Sequence, residues 1–409
     1  MERVVVIGAG HAGVQVAASL WEAGFTGAVT IVADEDHLPY QRPPLSKDHL
    51  HEASAPLPLR GRTFYEDNAV ELLGGLTATT IDRARNAVTL SDGRILPYSR
   101  LVLATGARAR CLPGVDEAHP GVHQIRTLAD AEKLRGALRT ARRAVVVGAG
   151  FLGLEFAAVA RGKGVDVTVL EAGPRVLGRS LSRRWRPTSG RRTRRTGPGS
   201  CSARASLTCS CAGTPSKGCG TSGTFYPADL VLLAVGADPR DDLAREAGLE
   251  VADGVLVDTY LRTSDPAILA VGDCARLRRP EPGSIGRLES VQNATDQARH
   301  AAEVILGSAG PYAAVPWFWS HQGSLRLQIA GVRGPADATV TLGDVDAGKF
   351  SVLSFRDGLM TCVELLNRPA DHLAARRLLG SDHRPTLDDV TVPGFQLKAV
   401  AAGLAPAAT

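Results

Sequence analysis

Gly8, Gly10 and Gly13 stand at Gly-x-Gly-x-x-Gly spacing, and Gly148, Gly150 and Gly153 repeat that spacing. Each triplet follows an apolar run, Val4-Val5-Val6-Ile7 in the first case and Ala144-Val145-Val146-Val147 in the second. Each is followed by a segment with helical periodicity. A strand, a glycine turn and a helix in that order let the backbone approach a pyrophosphate and point a helix N-terminus at it. Both runs are followed by a second strand ending in a carboxylate, Asp34-Glu35 after Ala28–Val32 and Glu171 after Val165–Leu170. A carboxylate there accepts hydrogen bonds from a ribose. Two such units imply two dinucleotides.

Glu171 lies 23 residues after Gly148, a suitable distance for the adenosine ribose, and its charge repels a 2′-phosphate. That favours NADH over NADPH, although Arg175 and Arg179 offset part of the preference. A third signature, Asp265–Asp273, reads as a turn, a buried strand and a terminal Gly-Asp. At such a strand end Asp273 can receive a ribityl hydroxyl, and with two glycine turns already present FAD is the better reading of the first dinucleotide.

Together with Pro39–Lys47 (Pro-Tyr-Gln-Arg-Pro-Pro-Leu-Ser-Lys), Leu101–Ala107, Glu289–Ala294 and Pro316–Ser320, these features resemble the FAD-dependent ferredoxin reductases of bacterial oxygenase systems. The resemblance implies an α/β, glutathione-reductase-like fold: two Rossmann-type nucleotide-binding domains plus a C-terminal α+β domain. It places a discontinuous FAD-binding domain at 1–110 and 236–314, an NAD-binding domain at 111–235 and the C-terminal domain at 315–409. Position by position it assigns Gly8, Gly10, Ala12, Gly13, Asp34, Lys47, Ala78, Arg126, Asp273 and Val291 to FAD. To NADH it assigns Gly148, Gly150, Gly153 and Glu171. Lys47, Glu155 and Trp319 are the catalytic candidates: a cation that favours reduced flavin, a glutamate that pairs with it on the nicotinamide side, and an aromatic ring on the electron exit. Lys47 as a surface ammonium and Trp319 as packing are the competing readings.

The resemblance also implies the partners, an iron–sulfur ferredoxin and through it an oxygenase. Arg42–Lys47 contains no cysteine where disulfide reductases of this fold carry a Cys-x4-Cys pair. Cys111, Cys274 and Cys362 are isolated in sequence, so electrons must leave the flavin directly. The alternatives on the same scaffold are an NADH oxidase or quinone-type reductase, and an FAD-binding relic with impaired NADH use.

The remaining composition excludes other classes. The formal charge of +5 over 409 residues arises from one stretch, Ser180–Tyr226, with eight Arg, one Lys and no acid; elsewhere 38 basic residues face 42 acidic ones. Nucleic-acid binding is therefore not expected. No apolar run reaches membrane-spanning length, and the chain opens directly into a buried-strand pattern, so a soluble cytoplasmic protein is expected. Cys201, Cys209, Cys211 and Cys219 lack zinc-site spacing, and no metal site is expected. Between Ser180 and Phe225 the resemblance vanishes, Leu181 and Leu207 are the only aliphatic residues beyond Ala, and no strand or amphipathic helix can be written. We read this stretch as a compensated reading-frame shift. With CGN arginine codons, shifted reading of Arg184–Ser189 yields a helix-like sequence similar to the family's; a disordered basic loop or partner site is the alternative. With a real shift, FAD binding is expected largely to survive, while the NAD-binding domain loses stability and NADH use is poor.

Overall fold

The computed structural model describes residues 2–51, 55–115, 119–178, 180–182, 185, 208–210, 218–221, 224–278 and 286–404. The chain divides into two compact units. The first comprises Met1–Gln41, Pro56–Arg108 and Asp238–Pro316, the second Arg42–Ala55, Ala109–Ala237 and Trp317–Thr409.

In the first unit the uninterrupted apolar runs become the strands of a parallel sheet, as strands covered on both faces require. Its order is Ile268–Ala270, Arg100–Leu103, Arg3–Ile7, Ala28–Val32, Val70–Leu73. Arg3–Ile7 is central, and Val5 and Val6 are wholly buried. The helices His11–Glu22 and Val291–Leu306 pack together on this core through Ala17, Ala298 and Ala301. Ser290 caps the second of them by accepting the Asn293 N–H, and Gly307 ends it at φ 77°. The same unit holds an antiparallel sheet of Ala78–Asp82, Ala87–Leu90 and Ile95–Pro97.

The second unit repeats the nucleotide plan. Its parallel sheet runs Asp166–Leu170, Arg143–Val147, Leu230–Leu233, Val122–His123, with helix Phe151–Gly162 after the central strand. Helix Leu128–Leu138 starts with a capping box formed by Thr127 and Asp130. The unit also contains a five-stranded antiparallel sheet in the order Trp317–Gln322, Leu325–Gly331, Leu359–Leu366, Lys349–Arg356, Ala338–Asp344. Helix Pro369–Leu379, opened by a proline that needs no N–H partner there, packs on it.

One sequence expectation is corrected here. Within the stretch where no strand could be written, Thr208–Ser210, Gly218–Thr221 and Thr224–Pro227 form an antiparallel sheet, pairing Cys209 with Cys219 and Cys219 with Tyr226. Ladder pairing is a backbone property, and Thr, Cys, Phe and Tyr supply it without aliphatic alternation. Cys219 is wholly buried among Val122, Val145 and Val231. The shifted-frame reading of Arg184–Ser189 falls, apart from Trp185, outside the described residues, as do Arg179, Cys201 and Cys211.

Candidate functional site

In the first unit Gly8 has φ +110°, and a Cβ on it would lie 2.2 Å from the Ala104 carbonyl oxygen. A Cβ on Gly13 would lie 1.8 Å from the Gly8 carbonyl oxygen. These two glycines are demanded by the fold itself. Gly10 differs, because a Cβ there meets nothing within 4 Å. It is the extended N-cap of helix His11–Glu22, which has no side-chain cap and no acidic residue in its first turn. An uncapped helix N-terminus facing open space beside a bare backbone is a cradle for a pyrophosphate, and on this ground the turn fits a dinucleotide such as FAD.

Around that turn, Asp34 follows strand Ala28–Val32 and pairs with Arg240 at 2.7 Å, both side chains 43% exposed. Ala12 is buried beside Gly272, whose N–H donates to Gln297 Oε1 at 2.7 Å. Asp273 follows Gly272, and its carbonyl accepts from Arg287 at 3.2 Å. Val291 opens the helix capped by Ser290, and Ala78 is buried in the antiparallel sheet. Arg240 and Gln297 were invisible to sequence reasoning, since their partners are set by the fold.

The second unit carries the same turn in the same geometry. Gly148 has φ +103° with its virtual Cβ 2.3 Å from the Ala234 carbonyl oxygen, while Gly150 meets nothing within 4 Å and caps helix Phe151–Gly162 without a side-chain bond. Gly153 packs against the Gly148 carbonyl. Glu171 is tied to this turn: its two oxygens accept the Ala149 and Gly173 N–H groups, each at 2.7 Å. A 2′-phosphate brought to this strand end would meet that carboxylate. Arg175, which on sequence grounds offsets the NADH preference, turns its guanidinium to the carbonyls of Gly178, Leu181 and Ser182.

Lys47 and Glu155 are brought together. Lys47 Nζ donates to Glu155 Oε2 at 2.6 Å and to the Pro43 carbonyl at 3.2 Å. Ser46 Oγ donates to the same carboxylate oxygen and Ser320 Oγ to the other, both at 2.7 Å. Glu155 is 7% exposed and Lys47 22% by side chain. A carboxylate this buried is tolerable because three donors converge on it. Ser46 and Ser320 were missed from sequence, although each adjoins a residue that was singled out, Lys47 and Trp319. Arg126, the remaining unit-two candidate, donates its N–H to Asp130 and accepts from the Arg42 guanidinium.

The strand that carries Ser320 also carries the aromatic segment. Trp317 and Trp319 have ring centroids 5.4 Å apart, and Phe318 packs tilted against Phe151, the first residue of the helix after Gly150, at 4.4 Å. Trp319 is half-buried and His321 exposed. His372 meets the Trp317 edge at 5.2 Å, and Arg376 lies over the Trp317 ring. Burial, reinforced by Arg376, pushes the His372 pKa down to about 4. Among the described residues Cys274 and Cys362 form no disulfide. Burial pushes the Cys274 and Cys362 thiols up, so neither supplies a ready thiolate.

Comparison with known proteins accords with this geometry. The family model for pyridine nucleotide-disulphide oxidoreductases matches residues 2–298, and that for the reductase C-terminal region matches 317–401. Rhodocoxin reductase of Rhodococcus erythropolis is 42% identical over 398 residues, covering 97% of this chain and 93% of the relative. Putidaredoxin reductase CamA of Pseudomonas putida is 36% identical over 427 residues, covering 98% and 97%. The crystal structure of the ferredoxin reductase for the CYP199A2 system from Rhodopseudomonas palustris superposes with a TM-score of 0.89 at 39% identity, over 98% of this chain and 100% of that one. The reductase in the covalent putidaredoxin reductase–putidaredoxin complex superposes with a TM-score of 0.86 at 34% identity, over 98% and 99%. The chain belongs to the pyridine nucleotide-disulphide oxidoreductase family, within its ferredoxin reductases.

Proposed function

We propose that this chain is an NADH-dependent flavoprotein reductase that passes electrons through FAD to a two-iron ferredoxin of an oxygenase system. The observation that carries the reading is the pair of matching glycine turns, one in each unit, each ending at an uncapped helix N-terminus with open space at its middle glycine. When bound, FAD supplies acceptance of two electrons together from a reduced nicotinamide and their release one at a time.

The chain's own residues supply position and field. In the first unit Gly8, Gly10, Ala12, Gly13, Asp34, Ala78, Asp273 and Val291 are the proposed FAD residues. In the second, Gly148, Gly150, Gly153 and Glu171 are the proposed NADH residues. Lys47 and Arg126 are assigned to the cofactor on the family resemblance. Lys47 places a cation whose charge favours a reduced, anionic ring, and Glu155, oriented by Ser46 and Ser320, fixes where that ammonium points. Trp319 is the proposed exit-side ring. The domain division proposed is FAD-binding at 1–110 and 236–314, NAD-binding at 111–235 and C-terminal at 315–409. Among the described residues no helix is long and apolar enough to cross a membrane, and the reading includes a cytoplasmic location, with access to reduced nicotinamide.

The test is acceptor competition. With NADH as donor, a two-iron ferredoxin is expected to be reduced faster than oxygen or quinones. Preference for oxygen or a quinone assigns the chain instead to an oxidase or quinone-type reductase on the same scaffold.

A further inference from the structure

Glu364 is a charged residue that the proposed chemistry does not use. It sits in strand Leu359–Leu366 between Val363 and Leu365, and no part of it is exposed. A carboxylate there is costly unless its oxygens are bonded. Both are. Oε1 accepts the Ser182 N–H at 2.8 Å and Oε2 the Ser182 hydroxyl at 2.7 Å, with Arg333 Nε 3.5 Å from Oε1. Burial pushes the Glu364 pKa up, opposed by the Ser182 donors and by Arg333 and Arg175. Each carboxylate oxygen thus accepts one hydrogen bond from a single residue, Ser182, far from Glu364 in sequence.

Ser182 lies in the segment that follows Glu171. That segment is also held in its middle, where the Leu177 N–H donates to the Ala149 carbonyl at 2.9 Å and Leu177 takes φ +52°. Leu177 and Leu181 are buried against Leu327, with Phe151 and Leu154 alongside. At its start Glu171 accepts from both Ala149 and Gly173. Arg175 donates to the carbonyls of Gly178, Leu181 and Ser182, which links Ser182 to the earlier part of the segment. The segment is therefore tied to the Gly148–Gly150 turn through Ala149 and to the antiparallel sheet through Glu364.

We propose that Glu364 is a positioning residue for the nicotinamide nucleotide: by pinning Ser182 it holds the loop Gly173–Gly178 against the Gly148–Gly150 turn and thereby sets nucleotide affinity from the C-terminal antiparallel sheet. This rests on the reading that the second glycine turn takes NADH.

The test uses the FAD-loaded full chain, titrated calorimetrically with NAD+, in the wild type, Ser182→Ala and Glu364→Gln. Hydrogen exchange of peptides spanning 173–182 is followed in the same samples without nucleotide. Both variants are expected to weaken NAD+ binding about five- to tenfold, the low end of couplings between linked sites. FAD content should stay at the wild-type level and the loop amides should exchange faster. Ser182→Ala removes only the hydroxyl donor, which keeps the proposal testable if Glu364→Gln fails to fold. Unchanged NAD+ affinity in Ser182→Ala overturns the proposal, as does loss of FAD in step with NAD+, which marks a purely structural residue. A wild type that holds FAD yet binds no NAD+ sinks the nucleotide reading itself, whereas a wild type that binds it with variants to match sinks the anchor alone.

Discussion

Replacing Ser320 by alanine tests how the buried carboxylate of Glu155 is held. Ser320 is wholly buried, and its hydroxyl donates to Glu155 Oε1 at 2.7 Å. The other oxygen, Oε2, keeps Ser46 and Lys47. Hydrogen bonds to a charged group contribute about 1.5–3 kcal/mol, and neutral ones roughly 1 kcal/mol. Lys47 is 22% exposed by side chain, so water softens the loss at that edge, and Ser320→Ala is expected to cost about 2 kcal/mol. In a Glu155→Gln background the partner is a neutral amide, and the same substitution should cost only about 1 kcal/mol. The difference, about 1 kcal/mol, is the coupling that a double-mutant cycle reads from urea midpoints of the FAD-loaded protein. Equal costs in the two backgrounds, within about 0.3 kcal/mol, would show that the hydroxyl does not address the carboxylate, and the argument for an oriented Lys47 would lose its support.

The glycine turns allow a sharper separation of folding from binding. Gly148→Ala would force a Cβ to 2.3 Å from the Ala234 carbonyl oxygen and is expected to destabilise the second unit. Gly150→Ala meets nothing within 4 Å; it should leave thermal stability and FAD content unchanged while weakening NAD+ binding tenfold or more, as titration will show. His372 gives a pH signature. Its folded pKa, near 4, lies below the ordinary 6.5, so the fold binds the neutral ring and the unfolded chain takes up the proton. The stabilisation is therefore complete above the unfolded value and is lost as pH falls from 6.5 toward 4, by roughly 2 kcal/mol at pH 5. His372→Gln should flatten the urea-midpoint profile across that window, and an unaltered profile would exclude His372 as its source.

Legibility from sequence followed the range of each interaction. The glycine turns could be read because strand, turn and helix are contiguous, and the positive φ of Gly8 and Gly148 follows from that local geometry. The Lys47–Glu155 pair was reached only through family resemblance, since the two are 108 residues apart. Ser46 and Ser320 reach the same carboxylate across 109 and 165 residues, and no local pattern marks a serine for such a role. Glu364 did leave a trace, a single carboxylate in the apolar run Cys-Val-Glu-Leu-Leu, which demands a partner but does not name it. The short strands between Thr208 and Pro227 were missed because their pairing is carried by backbone groups, which side-chain periodicity does not report.

The proposed chemistry requires a flavin that a pyridine nucleotide reduces without a thiol relay. Its most direct measurement is anaerobic rapid mixing of the purified, FAD-supplemented chain with NADH, monitored by visible absorbance. The expected result is a yellow protein whose flavin bands bleach on mixing with NADH and return on addition of an oxidised two-iron ferredoxin. A colourless protein after FAD supplementation, or flavin bands that NADH leaves untouched, would contradict it.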